Sequence, residues 1–127
     1  AIVLLGKQAF DLVTLNRSIK GDVITVAQIA GINAAKNTHN LIPLCHQLLL
    51  RNVDVRLTLD PRTCAVVIFA SALTEGQTGV EMEALTAASV ASLTVYDMCK
   101  AVSRELKISE VKLESKTGGK CDYFRRR

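Results

Sequence analysis

The chain has 127 residues and 13.8 kDa, with 49% apolar and 22% charged residues, which bounds it to one domain and excludes a disordered polymer. Sixteen Lys and Arg against twelve Asp and Glu give +4 and a pI near 9.0. Residues 125–127 carry three of those charges, so the bias reads as a solvated basic tail sooner than as a nucleic-acid surface, and it suits a small anionic substrate. The longest apolar run, residues 64–70, is far short of the ~18 residues of a membrane span. No start pattern reads as a signal peptide, and Ala1 in place of Met fits a processed or trimmed piece.

In chain order, residues 1–5 (AIVLL) read as the end of a strand cut off at its start, broken by Gly6. Ala9, Phe10, Leu12, Val13 and Ile19 make a loose helical stripe over residues 7–19. Lys20, Gly21 and Asp22 form a turn, and Asp22 is placed to cap the next helix. Over residues 23–36, Val23, Val26, Ala27, Ala30 and Ala34 recur at helical spacing, and the small residues on that face would let it pack closely. Residues 41–50 are apolar and ambiguous, and Pro43 disfavours helix at Ile42.

Val53, Val55, Leu57 and Leu59 then alternate with polar residues as a half-buried strand does. Residues 60–63 (DPRT) make a hairpin turn, and residues 64–73 return as a strand whose unbroken apolar run suggests cover on both faces, the second face by another subunit. A loop at 75–79 leads to the longest helical candidate, residues 81–106. Its stripe is Met82, Leu85, Ala88 or Ser89, Leu93 and Tyr96. Ile108, Val111 and Leu113 suggest a last strand before a Gly- and Lys-containing tail. The order is βαββαβ: an α+β, ferredoxin-like sandwich with an antiparallel sheet, helices on one face and a truncated first strand.

Chemistry-bearing residues fall in three segments. His46, beside Cys45, sits in a greasy, Pro-interrupted stretch; a core histidine is the competing reading. Glu81 and Glu83 lie near a helix start, where the dipole stabilises carboxylates. Two apart on a helix, they point to different sides. Asp97 and Lys100, three apart, share a helix face; a surface ion pair is the competing reading, while apolar flanks suit a partly buried pair tuned for proton transfer. Glu83 and Asp97 fall within about 40° of one stripe but ~21 Å apart along it, so one ligand touching both calls for two subunits. Lys20, Lys116 and Lys120 sit in Gly-containing turns suited to phosphate. None of the cysteines, Cys45, Cys64, Cys99 and Cys121, forms a C-x-x-C pair. Lying in apolar runs, they are expected to be reduced, in an intracellular compartment.

Taken together, these segments resemble the MoaC family of cyclic pyranopterin monophosphate synthases. The matching stretches are KGD at 20–22, IAGINAAK at 29–36, LIPLCH at 41–46, TGVEMEALTAASVASLTVYDMCKAV at 78–102 and SKTGGK at 115–120. The resemblance implies a single domain over 1–127 and a homohexamer built as a trimer of dimers, with sites between subunits. It implies a lyase of molybdenum-cofactor biosynthesis that converts 3′,8-cyclo-7,8-dihydro-GTP, supplied by a radical-SAM partner enzyme, to cyclic pyranopterin monophosphate and diphosphate. It casts Asp97, Lys100 and Lys20 as catalytic. Leu44, Cys45, His46, Glu81, Met82, Glu83 and Lys116 become substrate contacts. No cofactor, no metal ligand set, no nucleic acid and no membrane is implied, and the location is cytoplasmic, or the mitochondrial matrix in a eukaryote.

The chain also departs from the family pattern. Nothing matches the family's N-terminal M-V-D-V stretch and its arginine. Residues 38–40 (THN) stand where an acidic residue often precedes LIPLCH, Gln47 stands where proline is usual, and residues 121–123 (CDY) depart from S-G-D-F. An RNA-binding module of the same fold is the rival class. Such modules stack bases on strand aromatics, and Phe69 is the only aromatic in the two hairpin strands.

Overall fold

The computed structural model describes residues 1–76 and 78–127. The chain runs β1 (Ile2–Leu4), α1 (Lys7–Thr14), α2 (Val23–Lys36), α3 (Thr38–Leu41), β2 (Leu50–Asp60), β3 (Ala65–Thr74), α4 (Glu81–Cys99), β4 (Lys107–Glu110), β5 (Ser115–Lys116) and β6 (Tyr123–Phe124). The main sheet is antiparallel in the order β2-β3-β1-β4. Strand β3 therefore lies between β1 and β2, and β1 lies between β3 and β4, which is the split-βαβ arrangement the element order predicts. Helices α2 and α4 pack on one face of the sheet, as expected.

Local chemistry accounts for the ends of these elements. Asp22 caps α2 by accepting from the Thr25 amide at 3.0 Å. The β2–β3 turn is closed by Asp60, which accepts from the Arg62 amide at 3.0 Å and the Thr63 hydroxyl at 2.8 Å. Ile42, before Pro43, is extended at φ −107° and ends α3.

The close-packing, small-residue face expected on α2 is present, apart from Val26, whereas the buried face of α4 departs from expectation. The stripe buried on α2 is Val23, Ala27, Gly31, Ala34 and Ala35, while Val26 is exposed. On α4 the buried set is Glu83, Thr86, Ala87, Ala88, Ala91, Ser92, Val95, Met98 and Cys99, and Leu93 and Tyr96 face outward. Small residues win the interior because the two helices cross closely. A Cβ added to Gly31 would lie 3.0 Å from the Ala87 carbonyl oxygen and 3.2 Å from both Val55 methyls. The polar members cost little here. Ser92 is fully buried but donates to the Ala88 carbonyl at 2.7 Å, and Thr38 donates to Ala34 and Ala35. Gly31→Ala is expected to destabilise the fold by about 1–3 kcal/mol through overpacking. A shifted urea midpoint with an unchanged m-value would register it.

Two other expectations need correction. Helix α4 stops at Cys99, seven residues before Leu106, because the chain must turn to bring β4 beside β1; Lys100 caps it, and the Val102 amide bonds the Cys99 carbonyl. Strand β3 buries Val66 and Ile68 against the helices, and Val67, Phe69 and Leu73 on its other face, where cover was expected from another subunit, are exposed in the single chain. Cys121 is exposed, unlike buried Cys99, whose thiol is pushed up by burial; all four cysteines are free. The tail adds a small hairpin, β5–β6, that periodicity over two-residue strands does not reveal. No helix among the described residues is long and apolar enough to cross a membrane.

Candidate active site

Three charged side chains meet at the C-terminal end of α4. Asp97 lies in its last turn, and Lys100 follows one turn later as the C-cap residue. Lys20 arrives from the turn between α1 and α2, 77 residues away in sequence. The Lys20 Nζ lies 3.0 Å from Asp97 Oδ2 and 3.3 Å from the Asp97 carbonyl oxygen, and the Lys100 Nζ lies 3.0 Å from Asp97 Oδ1. Each carboxylate oxygen thus faces its own ammonium. Both cations also complement the negative end of the α4 dipole.

Hydrogen bonds from Lys100 and then Lys20 hold the Asp97 carboxyl below the usual carboxylate range. The cluster is more open than its apolar flanks predict. The Asp97 side chain is 55% exposed and that of Lys100 58%, because Val95 and Met98 point to the core while Asp97 stands on the opposite side of the helix. An ammonium has three N–H donors. Among the described residues Lys20 uses two of them and Lys100 one, so donors remain for an incoming anion.

A second group lies at the other end of α4. Lys116 of β5 reaches Glu81 at 3.1 Å, and Glu81 Oε2 is buried without a partner among the described residues. The Glu81 carboxyl is lowered by its own backbone amide first and by Lys116 next. Gly79 lies against this pair, so that a Cβ there would push the Glu81 carboxylate aside. The helix places Glu83 on the other side, buried at 5% exposure, and Met82 half-buried, as the two-residue spacing predicts. A cleft of about 830 Å³ opens here, lined by Phe69, Leu73, Glu81, Leu85, Lys116 and Gly119. It does not reach Asp97, so this cleft and the Asp97 cluster occupy opposite ends of one helix.

Leu44, Cys45 and His46 lie on the irregular segment between α3 and β2. Leu44 is 93% exposed and His46 is exposed, and neither side chain bonds to either cluster among the described residues. The structure therefore joins Lys20 to Asp97 and Lys100, joins Glu81 to Lys116, and leaves the histidine segment apart within one chain. A polar neighbour that sequence reading passes over is Ser18, whose Oγ points at the Met98 carbonyl at a long 3.5 Å. Its signal lay in the turn ended by Gly21, which adopts φ +107°.

These features define a ferredoxin-like α+β domain with a carboxylate bridged by two lysines at a helix end. Residues 1–119 match the model of the MoaC family, and the chain belongs to that family. It is 57% identical over 124 residues to the mitochondrial cyclic pyranopterin monophosphate synthase of Arabidopsis thaliana, covering 98% of this chain and 46% of that protein. It is 59% identical over 126 residues to molybdenum cofactor biosynthesis protein 1 of Mus musculus, covering 99% of this chain and 20% of that protein. A cyclic pyranopterin monophosphate synthase from Heliobacterium modesticaldum is 51% identical over 122 residues, which are 96% of this chain and 77% of that protein. The chain thus spans less than half of the plant and mouse relatives.

Proposed function

We propose that this chain acts as a cyclic pyranopterin monophosphate synthase, a lyase of molybdenum-cofactor biosynthesis. Its substrate would be 3′,8-cyclo-7,8-dihydro-GTP and its products cyclic pyranopterin monophosphate and diphosphate. The observation that carries the reading is the Lys20–Asp97–Lys100 cluster, assembled from distant segments in a chain whose relatives bear that name. Ring opening and re-closure to a pterin need proton donors and acceptors, the roles assigned to Asp97, Lys100 and Lys20. Attack of a ribose hydroxyl on the α-phosphate builds charge on leaving diphosphate, which ammonium groups stabilise.

Leu44, Cys45, His46, Glu81, Met82, Glu83 and Lys116 are assigned to substrate contacts. One copy does not bring them to Asp97, and α4 runs unbroken through both Glu83 and Asp97. The reading therefore places each site between copies, in a homohexamer fed by a radical-SAM GTP cyclase in the cytoplasm or mitochondrial matrix. Exposed Ile29, Leu44, Leu49 and Leu93 support assembly, since such apolar surface is costly in a lone chain. Incubating the 127-residue protein with the cyclised GTP intermediate tests the activity: diphosphate and the pterin should appear together. Intact substrate after prolonged incubation with an assembled oligomer would refute it.

A further inference from the structure

We propose that Asp22 is a positioning residue for Lys20, holding the turn that delivers the lysine to Asp97. The inference rests on the reading of Lys20 as an active-site lysine. The Lys20 side chain is 47% exposed, so packing does little to fix it. Its backbone is anchored on two sides instead. Upstream, Ser18 points at the Met98 carbonyl, and the Ser18 carbonyl accepts from the Gly21 amide at 3.1 Å, closing the turn around Ile19 and Lys20.

Downstream, Gly21 provides no stiffness of its own, and the first rigid point is Asp22. Both Asp22 oxygens are committed. Oδ1 accepts from the Thr25 amide at 3.0 Å, and Oδ2 accepts from the Thr25 hydroxyl at 2.7 Å. The Asp22 carbonyl accepts from Val26 at 3.0 Å, which seats the turn on α2. The arrangement has a second effect. Asp22 is a carboxylate two residues from Lys20, yet Thr25 occupies it. Asp97 is left as the acidic partner of Lys20 among the described residues.

The test follows the Asp97 side-chain carboxyl by carbon NMR as pH is varied, without substrate, in the parent chain and four variants. Lys20→Ala sets the reference rise of the Asp97 midpoint. Asp22→Ala should produce most of that rise, and Asp22→Asn, which still caps a helix, should produce little of it. Thr25→Val removes one of the two bonds and should give a smaller rise in the same direction. Should Asp22→Ala not fold, Thr25→Val alone decides. A parent-like midpoint in Asp22→Ala and Thr25→Val, or in Thr25→Val alone when the first is unfolded, overturns the proposal. Circular dichroism of each variant separates a displaced Lys20 from a general loss of structure. Absence of turnover in the parent would sink the active-site reading and leave this placement standing.

Discussion

Asp97→Asn is expected to lower kcat by about 10²–10⁴, the range lost when a positioned acid–base group is removed. Asparagine keeps the size of the side chain but not the charge that gathers Lys20 and Lys100. Both ammonium groups would then repel across the gap, since a single neutral amide oxygen would replace the two charged oxygens that each accept from one lysine. The fold should survive, since the side chain stands on the outer side of α4 and buries nothing. Circular dichroism and a steady-state assay on the same sample separate these effects; unimpaired turnover would remove Asp97 from the chemistry.

The same variant carries a pH signature. The folded Asp97 pKa lies below its unfolded value, so its ion pairs stabilise the fold fully above the unfolded pKa. That contribution is lost as pH falls through the folded value. The urea midpoints of the parent and Asp97→Asn should therefore differ at neutral pH and converge at the acid end. A difference that grows on acidification would contradict the pairing.

Mixing two inactive variants should restore activity if two copies build each site. Asp97→Asn supplies an intact His46 segment, and His46→Ala supplies an intact Asp97 cluster. When subunits exchange at random, about a quarter of the sites recover both groups. Activity should rise from near zero to that level after unfolding and refolding the mixture, and not after brief mixing below the exchange time. The expectation comes from geometry: no hydrogen bond or ion pair joins His46 to Asp97 among the described residues, and the segment bearing His46 exposes Leu44 and Leu49 almost fully. A mixture no more active than its components would confine the site to a single copy.

Much of this molecule was legible in local patterns. The period of two over residues 53–59, the Asp-Pro turn and the Asp22 cap each act within a few residues, and so they define β2, the hairpin and the start of α2. The three-residue spacing of Asp97 and Lys100 likewise forecast their pairing, because one helical turn sets it. The small, closely packed face of α2 was legible, but the buried face of α4 was not. Hydropathy favours large side chains such as Leu93 and Tyr96, whereas the helix crossing at Gly31 admits only small ones. The openness of the Asp97 cluster was also hidden, since flanking Val and Met turn inward and shelter nothing on the other side.

The sequence by itself determined the order of elements and the chemical groups that the candidate site holds, because hydropathy period, turn chemistry and helical spacing are local. The tertiary structure alone decided that Lys20 closes on Asp97 across 77 residues, that Glu81 closes on Lys116 across 35, and that the two groups lie at opposite ends of one helix. Those contacts depend on how closely the α2 and α4 backbones approach and on where the loops return, which are properties of packing and absent from any short stretch of chain.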